Sequence, residues 1–119
     1  MEGPKQIQEN AGEPFPGKGR VERIKEYLLD NLESDLSLIA VATKFEISAS
    51  TLRHTFKKHQ HQSYQSYREE IRMQRSWHLL INEDKRIKEI IYATGYKNRA
   101  AFNKAFKKKF KHPPSYFRN

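Results

Sequence analysis

The sequence predicts an all-α fold of about seven helices, in which two helix-turn-helix subdomains are joined by a long bridging helix. Three observations carry that expectation. From Val21 onward apolar residues recur at three- and four-residue spacing, and no segment of strict alternation competes with that period. The stretch AFNKAFKKKFKHPPSYFR at 101–118 echoes TLRHTFKKHQHQSYQSYR at 51–68, fifty positions earlier. Between the two copies, the segment from about Tyr64 to Asn82 carries one apolar stripe at Tyr67 and Ile71 and another at Met73, Trp77 and Leu80/Ile81. Two differently directed stripes on one helix mean that its two ends are buried against different neighbours.

The elements follow in order. MEGPKQIQENAGEPFPGKG is polar, rich in Pro and Gly and without an apolar period, so residues 1–20 are expected to be a disordered tail or a linker remnant. The folded domain is then 21–119, with the first helix-turn-helix at about 21–62, the bridging helix at about 63–82 and the second helix-turn-helix at about 83–119. Val21, Ile24, Tyr27/Leu28 and Leu32 mark the first helix. Leu38, Val41, Ala42 and Phe45 mark a short second one, with Ser37 or Asp35 as its N-cap. Ser48 caps a third, anchored by Leu52 and Phe56. Beyond the bridge, Ile87, Ile90/Ile91 and Thr94 repeat the short helix, Gly95 marks a tight turn, and Asn98 caps a helix bearing Phe102, Phe106 and Phe110. Pro113 and Pro114 stop that helix and allow a last short one, SYFR, because proline is tolerated in a first turn.

The two copies align at an offset of 49 before the turn (Leu38/Ile87, Val41/Ile90) and of 50 after it (Leu52/Phe102, Phe56/Phe106), so the second turn is one residue longer. Short helix, tight turn and second helix is the plan in which the second helix enters the DNA major groove. With Phe102 and Phe106 directed inward, a helical wheel puts Ala100, Asn103, Lys104, Lys107 and Lys108 on the opposite arc, flanked by Arg99. With Leu52 and Phe56 inward, Ser50, Arg53, His54, Lys57 and Lys58 face out. Arg, Asn, Ser and His suit base edges near the helix N-terminus. Lys57, Lys58, Lys107, Lys108, Lys109 and Lys111 suit phosphates, which give affinity and register without sequence information. A bridging helix of about 19 residues would span roughly 28 Å, near the ~34 Å between successive major-groove faces on one side of a duplex.

Charge agrees with that partner. The 119 residues carry a net +9, and the excess is confined to residues 85–119, where eleven basic side chains meet one acidic one, Glu89. Such a patch is the footprint of a nucleic-acid binder. Other classes lose their support. The absence of cysteine excludes disulfides, thiolate metal sites and thiol nucleophiles, and suits a reducing cytoplasm. His54, His59 and His61 lie in a basic surround that repels cations, so no metal and no cofactor is expected. Neither a glycine-rich phosphate loop nor a nucleophile-base-orienter set is apparent, so no catalytic residue and no enzyme is expected. No apolar run approaches a membrane span or signal-peptide core, so no membrane partner is expected.

The stretch IKEIIYATGYKNRAAFNKAFKKKFKHPPSYFR, through Ile90, Gly95, Tyr96, Phe102, Phe106, Lys107, Lys108, Pro114 and Arg118, resembles the signature of the AraC/XylS family of bacterial transcription regulators. LIAVATKFEISASTLRHTFKK and RMQRSWHLL are similar to their family counterparts, and the resemblance covers about Val21 to Arg118. It implies a seven-helix domain that recognises promoter DNA and usually activates transcription. It places base-reading positions on Ser50, Arg53 and His54 in the first unit and on Arg99, Asn103 and Lys104 in the second; RNA polymerase is a further candidate partner, reached through the acidic residues of the first helix. The sequence departs from the pattern at three points. Glu46 stands where the first turn often has Gly, Ser76 where the bridge usually has Ala, and Lys111 where Gly often follows the second reader helix. Many members carry a separate effector-binding and dimerisation domain, which a 20-residue leader cannot supply. The chain is expected to be a monomeric single-domain regulator, or the DNA-binding part of a longer one that dimerises through its missing domain, located with the nucleoid in the cytoplasm. The alternative readings are a protein-interaction module using Glu22, Glu26, Asp30 and Glu33, and a non-specific nucleic-acid binder using lysines only.

Overall fold

The computed structural model describes residues 18–118. Among them are seven helices and no strand: α1 (Lys18–Asp30), α2 (Leu38–Lys44), α3 (Ala49–Gln60), α4 (Tyr64–Ile81), α5 (Ile87–Ala93), α6 (Arg99–Phe110) and α7 (Pro114–Phe117). The all-α expectation therefore holds. α1 starts at Lys18, so the last three residues of the expected tail are helical. Arg20 is half-buried there, and its guanidinium donates to the Phe45 carbonyl at 3.2 Å. The remainder of the expected tail lies outside the described residues.

Two compact units form: the chain up to Asp30 with Leu36–Tyr67, and Asn31–Asp35 with Arg68 onward. In the first, α3 packs against α2 and α1. Val21, Ile24, Leu28, Leu36, Val41, Leu52 and Phe56 are buried. Phe56 meets Tyr64 edge-on at 5.4 Å and Tyr67 at 5.3 Å, while the Tyr64 hydroxyl donates to the Leu36 carbonyl at 2.8 Å. The first turn of α4 is thereby fastened to the unit by both ring contact and hydrogen bond.

In the second unit, Met73, Leu79, Leu80, Ile90, Phe102, Ala105 and Phe106 form one buried cluster, with Trp77, Phe110 and Phe117 packed on it. Trp77 lies 4.9 Å from the rings of both Phe110 and Phe117. Arg118 closes the unit by donating from Nη2 to the Leu80 carbonyl at 2.7 Å. Of the expected Leu80/Ile81 pair only Leu80 is buried; Leu79 takes the second place and Ile81 is 43% exposed. Ser76, standing where alanine was expected, is fully buried and satisfies its hydroxyl on the Met73 carbonyl at 2.9 Å.

The repeat is visible in the caps. Ser37 caps α2, its Oγ accepting from the Ala40 N–H, which decides between Ser37 and Asp35. Ser48 accepts from the Thr51 N–H at 2.9 Å, and Asn98 from the Ala101 N–H at 2.8 Å, fifty positions later. Each such cap stabilises its helix by about 1 kcal/mol. His61 and Lys111, again fifty apart, end α3 and α6 in the left-handed conformation. The turns after α2 and α5 also match. Glu46 and Gly95 have positive φ, and the following N–H groups, Ile47 and Tyr96, return to the carbonyls of Ala42 and Ile91. The extra residue of the second turn falls between Gly95 and Asn98. The final helix begins at Pro114 rather than Ser115, with proline in its first turn.

The two turns differ in what surrounds them. Glu46 is exposed. A Cβ at Gly95 would collide with the Leu32 carbonyl oxygen and come within 2.7 Å of Arg72 Nη2. Arg72 Nη2 itself donates to the carbonyls of Leu32 and Ser34, at 3.2 and 3.3 Å, and the guanidinium lies 5.8 Å from the Tyr96 ring centroid. Equivalent positions should therefore respond with opposite sign. Glu46→Gly relieves left-handed strain and should raise stability by up to about 1 kcal/mol, less the added unfolded-state entropy. Gly95→Ala should lower it by more than about 2 kcal/mol. Urea titration of both variants measures the contrast.

Beside that turn the Tyr96 hydroxyl is buried without a hydrogen-bond partner among the described residues. Burial pushes its pKa up to about 12, helped by the Glu69 charge and opposed by Arg72 and Arg68. An unfolded tyrosine titrates near about 10, so the folded state keeps a proton that the unfolded state releases between those values. The resulting stability is present in full below the unfolded pKa and is lost as pH rises through the folded one. Tyr96→Phe should be neutral or slightly stabilising at pH ~7, since it removes an unpaired hydroxyl, and its melting temperature should fall less than wild type between pH ~10 and ~12.

Candidate nucleic-acid interface

α3 and α6 each follow a tight turn, and burial of their anchors fixes which face is presented. On α3, Leu52, Thr55 and Phe56 are buried. Ser50, Arg53, His54, Lys57 and Lys58 are all exposed, as the wheel requires. Four of these five gather at one place: Ser50, Arg53, His54 and Lys57, with Ser63, line an open cleft of about 340 Å³. The expected readers of the first unit are thus contiguous, with Lys58 outside the cleft lining.

On α6, Phe102, Ala105 and Phe106 are buried, while Arg99, Lys104, Lys107 and Lys108 are exposed. Lys111 is exposed at the left-handed C-cap. Asn103 departs from expectation by being half-buried, because it sits beside the anchors rather than opposite them. None of Arg53, Lys57, Lys58, Arg99, Lys104, Lys107, Lys108 or Lys111 is engaged in an ion pair among the described residues. Their charges remain available to an external anion.

Charge is distributed in the same sense along each helix. Neither α3 nor α6 has an acidic residue in its first turn, and both have three basic residues in the last. The positive N-terminal end of each dipole is left unneutralised, which favours an approaching phosphate, and the C-terminal end is compensated by lysine.

Two participants escaped sequence reasoning. Ser63 joins the cleft from the start of α4, where its Oγ also accepts from the Ser66 N–H at 3.0 Å. The signal was a capping serine shortly after the left-handed His61, but its proximity to Arg53 is tertiary. Ala101 is exposed next to Ala100, although the wheel had singled out only Ala100. The histidines draw no metal-like arrangement: no cluster of three or more His, Cys, Asp or Glu suited to a metal ion occurs among the described residues. No helix among them is long and apolar enough to cross a membrane.

Two turn-linked helices with exposed basic faces over buried anchors define a DNA-binding helix-turn-helix protein. A family model described as a helix-turn-helix domain matches residues 41–119, and the chain belongs to that family, the AraC-type regulators. It is 36% identical to the Msm operon regulatory protein of Streptococcus mutans, over 85% of this chain and 36% of that one. It is 27% identical to the transcriptional activator RhaS of Salmonella arizonae, over 80% of this chain and 34% of that one. The chain spans about a third of the length of these relatives. The C-terminal domain of the response regulator AraT from Geobacillus stearothermophilus has the same fold, with TM-score 0.78 and 29% identity over 82% of each chain. So does the DNA-binding domain of AdpA, solved with a target DNA, at TM-score 0.76 and 16% identity over 82% of this chain and 87% of that one.

Phosphate contact by lysine should be separable from folding. Lys107→Ala should weaken binding to all duplex sequences alike and reduce the slope of log K against log salt by about 1. Binding titrations at several salt concentrations, with thermal melts to check folding, measure it.

Proposed function

We propose that this chain is the sequence-specific, double-stranded DNA-binding part of a bacterial transcription regulator. The observation that carries the reading is the paired geometry. Two helices with equivalent caps and equivalent inward anchors present corresponding outward positions, filled by the same residue at Lys57/Lys107 and Lys58/Lys108 and by different ones at Ser50/Ala100 and His54/Lys104. Equivalence gives two docking units; the differences give each its own base preference.

Ser50, Arg53 and His54 read base edges from α3, and Arg99, Asn103 and Lys104 do so from α6. Lys57, Lys58, Lys107, Lys108 and Lys111 hold phosphates. The two helices occupy adjacent major-groove segments, so a single chain covers what a dimer of simple helix-turn-helix domains covers. Activation is the expected sense of regulation, supported by the activator among the relatives, with RNA polymerase as the protein partner and the cytoplasmic nucleoid as the location. The domain binds as a monomer, and dimerisation belongs to any additional domain of a longer protein.

Selection of sites from a random duplex pool tests the reading. The expected outcome is a motif of two blocks about ten base pairs apart. Arg53→Ala should cost about 1–3 kcal/mol on that motif and relax the preference at one position of one block. A pool with no enriched motif, or a motif unchanged by Arg53→Ala, overturns specific readout through α3.

A further inference from the structure

The basic residues of α6 frame an apolar feature that phosphate and hydrogen-bond contacts leave unused. Among the described residues Ala42 and Ala105 are buried and Ala40, Ala49 and Ala93 are half-buried. Only Ala100 and Ala101 are exposed. They are consecutive, they lie in the first turn of α6, and they stand four and three residues before Lys104, so both flank it one helical turn toward the N-terminus. Their exposed neighbours on the helix, Arg99 beside them and Lys104 one turn on, are long and charged. Two single methyl groups between those side chains allow the helix backbone to approach a groove floor more closely than any longer side chain would. They also present hydrocarbon there.

The major groove offers one hydrocarbon group at its base edges, the C5-methyl of thymine. We propose that Ala100 and Ala101 form a thymine-methyl sensor, giving the second unit a contact with at least one thymine in its block. The inference rests on the DNA-reading function proposed above and names the base chemistry that α6 selects. The first unit is built otherwise. At the matching positions Ser50 turns a hydroxyl to the cleft it shares with Arg53 and His54, and Thr51 is half-buried with its hydroxyl accepting from Ser48 at 2.8 Å. The two copies of one scaffold thus read by different means, α3 through polar groups and α6 through Ala100 and Ala101 beside its polar readers.

Replacing single thymines of the selected motif by deoxyuridine deletes the methyl and leaves every hydrogen-bonding group in place. For the unaltered protein, at least one such replacement should weaken binding about fourfold, the equivalent of one buried methylene-sized group. That loss should vanish in Ala100→Gly or in Ala101→Gly. The readout is the ratio of thymine to uracil affinity within one protein, so a general weakening of α6 by glycine does not alter it. Ala100→Ser and Ala101→Ser keep the helix and replace each methyl by a hydroxymethyl; they should reduce the ratio as well. A motif whose thymines all tolerate uracil, or a uracil penalty that stays the same in all four variants, overturns the methyl sensor alone. A pool with no enriched motif overturns the reading beneath it.

Discussion

Burial of Phe102 and Phe106 on α6, and of Leu52 and Phe56 on α3, removes the rotational freedom of both helices about their axes. An anchor pair four residues apart defines one face of a helix, and positions half a turn away are then forced outward. The caps remove the remaining freedom along the axis. Ser48 and Asn98 set where each helix starts, and His61 and Lys111 set where the chain leaves it. The exposed faces are a consequence of these pins. Arg53 and Lys104 are held outward because the anchors beneath them, Leu52 and Phe56 on α3 and Phe102 and Phe106 on α6, are buried.

The same scaffold tolerates different chemistry wherever packing does not intervene, and the turns show where it does. Both turn residues adopt positive φ, yet one is glutamate and the other glycine. Conformation alone would favour glycine at both by a kilocalorie or so. The absolute requirement at Gly95 comes from the Leu32 carbonyl and Arg72 pressed against it, contacts that the exposed Glu46 does not have. Arg72 ties the Asn31–Asp35 segment into the second unit through two carbonyls and lies beside Tyr96. The second turn is therefore embedded, and the first is free to vary.

Much of this was legible from spacing. The period that identifies α3 and α6 is produced by the burial that orients them, so the anchors, the caps Ser48 and Asn98 and the outward set, apart from the half-buried Asn103 and the exposed Ala101, emerged together. Three features were not legible, each for a tertiary reason. Leu79 is buried and Ile81 exposed because the neighbours of α4 change along its length, which no single wheel can represent. Asn31–Asp35 joins the second unit although it follows α1 directly, and the attachment is made by residues far along the chain, through the side chain of Arg72 and the Leu32 carbonyl packed against Gly95. Ser63 enters the cleft from a different helix than Arg53, so its place depends on the left-handed exit at His61. The family resemblance, in turn, implies reader positions but not which of them converge. The cleft shared by Ser50, Arg53, His54 and Lys57 is a property of the folded chain.

Concentrating net +10 in thirty-five residues should repel the chain from itself, yet the lysines are placed where the fold gains from them. Lys107, Lys108 and Lys109 occupy the last turn of α6, opposite the negative end of its dipole, so part of their mutual repulsion is offset before any DNA arrives. The other end of the helix has no acidic residue to neutralise it, and there the small residues Ala100 and Ala101 keep the backbone accessible. On the proposed reading, α6 is lysine-rich at the end that holds DNA and carries two small residues beside Arg99 at the end that enters. In α3 the lysines again close the helix, but Ser50, Arg53 and His54 fill the entering end with polar groups. On the proposed reading, affinity comes from the lysines the two copies share, and discrimination from the entering ends, where the outward side chains differ.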